Sequence, residues 1–520
     1  MAVEKPVPGK FAVTESPNAA IPPIYTYWGQ FIDHELTART DRDESLSIQQ
    51  DADCLLPTSR AEVVGLLQNG RTPDFDLDCL YGEPNRSAGV KLTVAQKAFA
   101  RLLRDPHDEA KMRLGINHDV GNITPPHNDI QLKRDLPRLN QILPSDLDNV
   151  KALGKDPSKP QMALIGDPRN DENLIVAQFH TAMLHFHNAV VDWRRMNEAV
   201  ATETPQVQFE RARKVVCWVF QWLVVNDFLP TVALPVVVED VLASEARHYL
   251  ERMQQLKERF MPLEFSTAGF RFGHSMIRNA YDYNRNFGRG AVFLDKATLD
   301  LLFQFTGGHP FPSVEPGKPS PDSLPSNWII EWDRFTGEAP LDDSDGQPAR
   351  FARAIDTFLA PPLAELMNEG RDGNPAFQRL LKQLAQRNLR RGHLLSIPSG
   401  QDMAEFFGLT PLTPAELRRD TTLSMQYVLD KGGFLQQTPL WFYLLKEAEL
   451  GGGNSLGLLG STIVAETIIG VMQADKEAYL AVDKSWHPGR PVPGATQKPL
   501  LATGNGTRIA DLLRFARVLA

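Results

Sequence analysis

Cysteine is nearly absent. Only Cys54, Cys79 and Cys217 occur in 520 residues, far apart and with no C-x-x-C pair, which excludes a zinc ribbon or a thioredoxin-type site. A disulfide framework is not expected of so long a chain with so few thiols. An excess of positive charge is missing too: 55 Lys and Arg stand against 64 Asp and Glu, for a net charge of −9. A global footprint for nucleic acid is therefore lacking, and the local basic cluster Arg387-Asn388-Leu389-Arg390-Arg391 needs another explanation. No uninterrupted apolar run approaches the length of a bilayer span, so none is expected. Met1 to Ala20 carry charges and prolines in place of the apolar stretch of a secretory signal. That points to a cytoplasmic protein or to export by a signal-independent route. Alternating strand patterns, internal repeats and long low-complexity tracts are scarce or absent.

What the chain has in quantity is helical periodicity. Thr93–Arg104 opens with a capping-box pattern, Thr93 followed by Gln96, and sets Val94, Ala98, Phe99, Leu102 and Leu103 on one face. Leu174–Arg195, Phe209–Phe228, Tyr249–Phe260, Asn374–Asn388 and Ser461–Tyr479 read the same way, and a shorter helix is expected over Phe351–Leu359, stopped by Pro361 and Pro362. Two irregular connections are expected, from Gly307 through Pro325 and from His487 to Lys498, because proline recurs too often there for a helix. The fold class is mainly α with little β. Nothing between the helices has the composition of a free linker. One domain over 1–520 is the economical reading, with a core of about 23–480, an N-terminal arm 1–22 and a C-terminal tail 481–520.

Five segments carry chemistry. Trp28-Gly29-Gln30-Phe31-Ile32-Asp33-His34-Glu35-Leu36-Thr37 places acid, imidazole and acid in succession on a short helix. Neighbours there point about 100° apart, so the three side chains serve different partners. A zincin is excluded, since no second His follows four residues after His34; a surface helix with a lone His is the plain alternative. Gly166-Asp167-Pro168-Arg169-Asn170-Asp171-Glu172-Asn173 precedes the helix at Leu174. Acids suit that position, whereas Arg169 opposes the helix dipole. Phe270-Arg271-Phe272-Gly273-His274-Ser275 sets a Gly beside a His, where a bulky group could approach, although a satisfied core His would look the same. Arg387-Asn388-Leu389-Arg390-Arg391-Gly392-His393 reads in isolation as cations at a helix end. Arg71-Thr72-Pro73-Asp74-Phe75-Asp76-Leu77-Asp78 alternates oxygen donors as a loop around a hard cation requires; it lacks the Gly and distal Glu of an EF-hand, and a solvated acidic loop is the default.

In chain order these segments resemble the animal haem peroxidases, the peroxidase–cyclooxygenase superfamily of myeloperoxidase, lactoperoxidase and bacterial relatives, over roughly Pro23 to Tyr479. The resemblance implies a helical fold holding haem b between a distal and a proximal helix. It implies that Gln30 lines the distal pocket, that His34 faces the iron, and that Arg169 assists it. His274 would ligate iron, Asn388 would accept the proximal imidazole N–H, and Arg271 and Arg391 would approach the haem edge and its propionates. Asp33 and Glu172 match the acids that form esters to haem methyl groups. Thr72, Asp74 (through its backbone carbonyl), Asp76 and Asp78 match a calcium loop completed by Glu35. Glu35 departs from the family's usual Asp, and Asn173 departs from the methionine that some members bond to a haem vinyl group.

The activity so implied is reduction of hydrogen peroxide through compound I, with halide, thiocyanate or phenols as small electron donors. His34 would act as base and then acid, Arg169 as electrostatic stabiliser, and the His274–Asn388 pair would fix the iron ligand. A fatty-acid dioxygenase of the same superfamily is the runner-up; its radical Tyr stands three residues before the proximal His, where this chain has Arg271, and no Tyr occurs from Met261 to Ala280. A non-catalytic haem-binding adhesion or structural protein is the alternative from another class, and it predicts loss of His34, Arg169 or His274, all of which are present. A metal hydrolase built on His180, His185 and His187 lacks acidic partners at ligand spacing, so these read as packing histidines.

Overall fold

A computed structural model describes residues 17–37, 56–67, 69–83, 93–120, 133–142, 150, 158–288, 297–314, 317–338, 350–366, 375–501 and 504–520. Helices dominate it. Among the described residues the named strands are Ala280–Tyr281 and Ala297–Thr298, one short antiparallel pair.

The helix Ile24–Leu36 runs through the middle of the molecule. Eleven of its thirteen residues are buried, with Gly29 and Gln30 the exceptions. Burial on all sides marks a central core helix and rules out the lone-His surface helix. Thr37 ends it, with its hydroxyl donating to Asp33 O at 2.9 Å and its backbone leaving the helical region. Trp28 is the hub of an aromatic joint with ring centroids at 6.5 Å from Phe179, 6.3 Å from Phe220 and 5.2 Å from Phe228. Phe179 and Phe220 come from the two long helices beside it, Leu174–Asn197 and Pro205–Leu223, and Phe228 from the π-helical turn Val224–Phe228 that follows the second. Tilted and edge-on aromatic contacts of this kind add to area burial and fix mutual orientation.

Each long helix starts where local chemistry dictates. Asn173 Oδ1 accepts the Val176 N–H at 3.0 Å, and Thr204 accepts from Val207 ahead of Pro205 at the first helical position. Val94–Leu102 begins at the expected capping box of Thr93 and Gln96. A π-helical turn, Val224–Phe228, follows Pro205–Leu223 and leads into Leu229–Val232. The combined run Pro205–Val232 is long and apolar enough to cross a membrane, contrary to the expectation from the sequence, yet 83% of its apolar window is buried inside the protein. It is a core helix here.

Other expectations are revised. The Asn374–Asn388 helix is two, Pro375–Lys382 and Leu384–Leu394, parted at Gln383. The 461–479 helix is Leu458–Ala474 followed by the short Tyr479–Val482. Phe351–Leu359 is not helical. Ala352 and Ala354 donate to Ile21 O and Pro17 O, so the segment is drawn into extended pairing with the N-terminal stretch. The tail beyond 480 packs on the same core: Trp486 lies edge-on to Trp218 at 5.2 Å, and Phe515 to Phe186 at 5.7 Å.

Candidate functional site

A cavity of about 900 Å³ lies between the Ile24–Leu36 helix and two segments that reach it from far along the chain. One is the 3-10 turn Pro168–Asp171 and the other the 3-10 turn Gly269–His274, joined by Leu384–Leu394. The lining contains Gln30, Asp33, His34, Arg169, Glu172, Arg271, His274 and Asn388, so the structure brings eight of the expected residues to one space.

On the His34 side, partners fix the ring. His34 Nδ1 lies 2.8 Å from Asn170 Oδ1, and Asn170 Nδ2 lies 3.0 Å from His180 Nδ1. An amide oxygen only accepts, so His34 Nδ1 carries the hydrogen and Nε2 keeps its lone pair. Burial, reinforced by the nearby Arg169, lowers the His34 pKa to about 3, and the ring is neutral at pH 7. Arg169 is held by Asp167, at 2.7 Å between Nη2 and Oδ2, and by donation to His34 O at 3.0 Å. Burial raises the Asp167 pKa, but Arg169 and Arg71 outweigh it and hold the carboxyl well below its usual range. Arg71 reaches Asp167 at 2.6 Å and also contacts Asp78. Asn170, Asp167 and Arg71 were not singled out from the sequence. The only signal was their place inside or next to the second and fifth segments.

Asn173 has a double use. While its oxygen caps the long helix, Nδ2 donates to Gln30 Oε1 at 2.9 Å and holds that side chain at the cavity wall. Asp171 does not serve the helix dipole. It turns inward to Arg138 at 3.4 Å and to the Gly307 N–H at 3.0 Å.

On the opposite side, Asn388 Nδ2 is 2.9 Å from His274 Nδ1. The amide nitrogen faces the ring; donation by the imidazole to this residue requires the amide turned over, an exchange of two atoms of nearly equal size. The His274 ring stands edge-on to Trp441 at 6.3 Å, and Trp441 Nε1 donates to Arg271 O at 3.1 Å. Arg271 spans the two walls, donating to Ser266 O at 2.9 Å and pairing with Asp33 at 3.4 Å. Arg391 is buried and does not line the cavity, whereas Arg387, one turn earlier, does. The two positions share a helical face, so spacing alone could not separate them.

A methyl group on Gly273 would meet no protein atom within 4 Å, so the position opens directly on the cavity beside His274. Two histidines on facing walls, an open approach at Gly273, and arginines near two carboxylates suit a flat, anionic, iron-bearing macrocycle such as haem.

The acidic loop lies behind the His34 wall. Carboxylate oxygens of Glu35, Asp76 and Asp78 lie within 4.8 Å of one another, a donor set suited to a hard cation. Glu35 also accepts from the backbone N–H groups of Leu77 and Cys79, and burial with two acids nearby pushes its pKa up. Asp74 points its carboxylate to Arg259, and Thr72 is exposed with its carbonyl accepting from Asp74 N at 2.8 Å. Gly166 ties the loop to the cavity, because a Cβ there would come within 2.5 Å of Cys79 O. Of the other histidines, His187 bonds Tyr81 and Ala110 O, each at 3.0 Å, and His185 bonds Lys133 O. His180 supports the site through Asn170.

Residues 100–301 match the family described as animal haem peroxidase. A peroxidase-like protein of Margaritifera margaritifera is 23% identical over 271 residues, 50% of this chain and 32% of that protein. The matched stretch is thus about a third of that relative's length. Among solved structures, peroxidase A from Dictyostelium discoideum has a TM-score of 0.56 at 16% identity, covering 98% of this chain and 86% of its own. The fatty acid alpha-dioxygenase of Oryza sativa has a TM-score of 0.50 at 13% identity, with 89% and 70% covered. At such identities the likeness shows a shared fold.

Proposed function

We propose, from the match of residues 100–301 to the animal haem peroxidase family and the geometry of the cavity, that the chain reduces hydrogen peroxide and oxidises small donors such as halide, thiocyanate or phenols. One observation carries the reading: a neutral His34, with its tautomer set by Asn170, shares a cavity with His274, which is backed by Asn388. Haem b held in this cavity would supply the redox chemistry that carries oxidising equivalents from peroxide to the donor. His34 Nε2 takes a proton from hydrogen peroxide and returns it to the departing oxygen as water forms. The Arg169 guanidinium, anchored on Asp167, stabilises the negative charge that develops as the O–O bond breaks. His274 would hold the iron, with Asn388 fixing the plane of its ring. Arg271 and Arg387 stand where they can meet propionates, and Asp33 and Glu172 line the same cavity as candidates for ester linkage. Glu35, Asp76 and Asp78 are the carboxylates we assign to calcium, with Thr72 and Asp74 supplying further loop oxygens.

The test is spectroscopic. Haem-reconstituted protein should show a Soret band that changes on adding hydrogen peroxide and recovers with a phenol. His34→Ala should keep the band while slowing that change by about 10²–10⁴-fold. A variant of normal speed would show that another base acts. A fatty-acid dioxygenase is the second reading, favoured by Tyr25 and Tyr27 in the cavity wall. Rapid oxygen uptake with linoleate, in the absence of peroxide turnover, would put it first.

A further inference from the structure

The cavity is lined by two tyrosines for which the peroxide step has no use, Tyr25 and Tyr27. They differ in their surroundings. Tyr27 lies edge-on to the Tyr281 ring at 5.7 Å. Tyr25 donates its hydroxyl to a buried carboxylate, Asp227 Oδ1, at 2.8 Å. Asp227 is only 3% exposed, and its other oxygen accepts from the Ile509 N–H at 2.8 Å. Arg508 Nε stands 3.5 Å from Oδ1, and its side chain is 55% exposed, so the pair ends one guanidinium away from solvent. Asp227 occupies the π-helical turn Val224–Phe228, an irregularity that interrupts an otherwise regular core helix and often marks a functional position. The Tyr25 ring lies between Trp28 at 5.7 Å and Phe228 at 6.4 Å, in a setting that shields it from water.

We propose that Tyr25 and Asp227 form a proton-coupled redox relay between the haem cavity and the surface near Arg508. The inference rests on the peroxidase reading, because peroxide-oxidised haem is the oxidant. One electron leaves the Tyr25 ring for that haem. The phenolic O–H bond breaks, its proton forms an O–H bond on Asp227 Oδ1, and a neutral tyrosyl radical remains. An external phenolic donor later restores the electron and releases its own hydroxyl proton to water, while Asp227 returns its proton to the Tyr25 oxygen. A buried phenol without an acceptor could not be oxidised easily, since the charged radical cation would be stranded in an apolar wall. Burial holds the Tyr25 hydroxyl protonated, and burial raises Asp227 as well, which makes that carboxylate a better proton acceptor.

Freeze-quenched electron paramagnetic resonance of the holoprotein with hydrogen peroxide tests this, with each signal scaled to the fraction of haem whose Soret band changes. Wild type should give an organic-radical signal whose splitting collapses in protein grown on ring-deuterated tyrosine. Tyr25→Phe should lose that signal and Tyr27→Phe should keep it. Asp227→Asn still accepts the hydrogen bond but cannot take the proton, so the signal should appear more slowly and in lower yield. A signal of wild-type size in Tyr25→Phe overturns the relay, as does a changed Soret band with no deuterium-sensitive signal in wild type. Full-speed formation in Asp227→Asn overturns the role of the carboxylate. A Soret band indifferent to peroxide removes the peroxidase reading, and the relay falls with it.

Discussion

The two walls of the cavity hold their histidines by opposite means. His34 stands on a regular helix, and its ring nitrogen is fixed by a polar chain through Asn170 to His180. Beside it a second chain runs from Asp78 through Arg71 and Asp167 to Arg169. His274 stands on a 3-10 turn with one amide on its ring and an aromatic setting of Phe265, Phe270, Phe272 and Trp441 around its segment. A base that must stay neutral and aimed needs a defined tautomer and preorganised charge. An iron ligand needs a stiff seat and one orienting partner. Under the function proposed above, polarity on one wall and packing on the other match those separate demands.

The contrast can be broken most severely at His274. Replacement by Ala should abolish stable haem binding, and imidazole in the buffer should restore a Soret band, whereas His34→Ala keeps its haem. A His274→Ala protein with a wild-type Soret band would remove the assignment of the two walls. Asp167→Asn comes next, because it leaves Arg71 and Arg169 largely buried without their shared counter-charge. Denaturant unfolding should show a loss of about 3 kcal/mol, and a loss below about 1 kcal/mol would mean that other groups neutralise them.

Acid should affect the polar side first. His180 and His187, both on the Leu174–Asn197 helix, have pKa values lowered by burial to about 3. An unfolded His titrates near ~6.5. Below that value the unfolded chain binds protons that the folded one refuses, so stability falls as pH drops from about 6.5 towards 3. The raised pKa of Glu35 acts on global stability in the opposite sense over the same range, so the local signal decides: amide exchange should rise in Leu174–Asn197 before Gly269–His274 between about pH 7 and about pH 5. Exchange in Leu174–Asn197 that stays flat over that interval would contradict the burial of neutral rings. The smallest effect is expected on the aromatic wall. Trp441→Phe keeps a ring but loses the bond to Arg271 O, for about 1 kcal/mol. A cost several times larger would show that the indole also sets the course of the Gly269–His274 turn.

Much of the fold was legible locally. The capping box at Thr93, the proline-rich connections and the long apolar-faced helices follow from spacing of three or four residues, which sequence displays directly. Phe351–Leu359 failed because its backbone found partners near Pro17 and Ile21, more than 300 positions away, and such pairing overrides local propensity. The site divides in the same way. His34, Arg169, His274 and Asn388 could be found as segments in a familiar order, but nothing in that order singled out Arg387 over Arg391.

By itself the sequence determined the helical class, the helix starts at Thr93 and Leu174 and the segments that carry the chemistry, since each depends on neighbours a turn apart. The tertiary structure alone decided that Asn170 sets the tautomer of His34, that Asp167 is shared by two arginines, and that Tyr25 faces Asp227. Those partners are separated by 136, 96 and 202 positions. No local pattern encodes such pairs. They meet because the aromatic joint at Trp28 packs three helices against one another and leaves each buried polar group only the partner that packing brings.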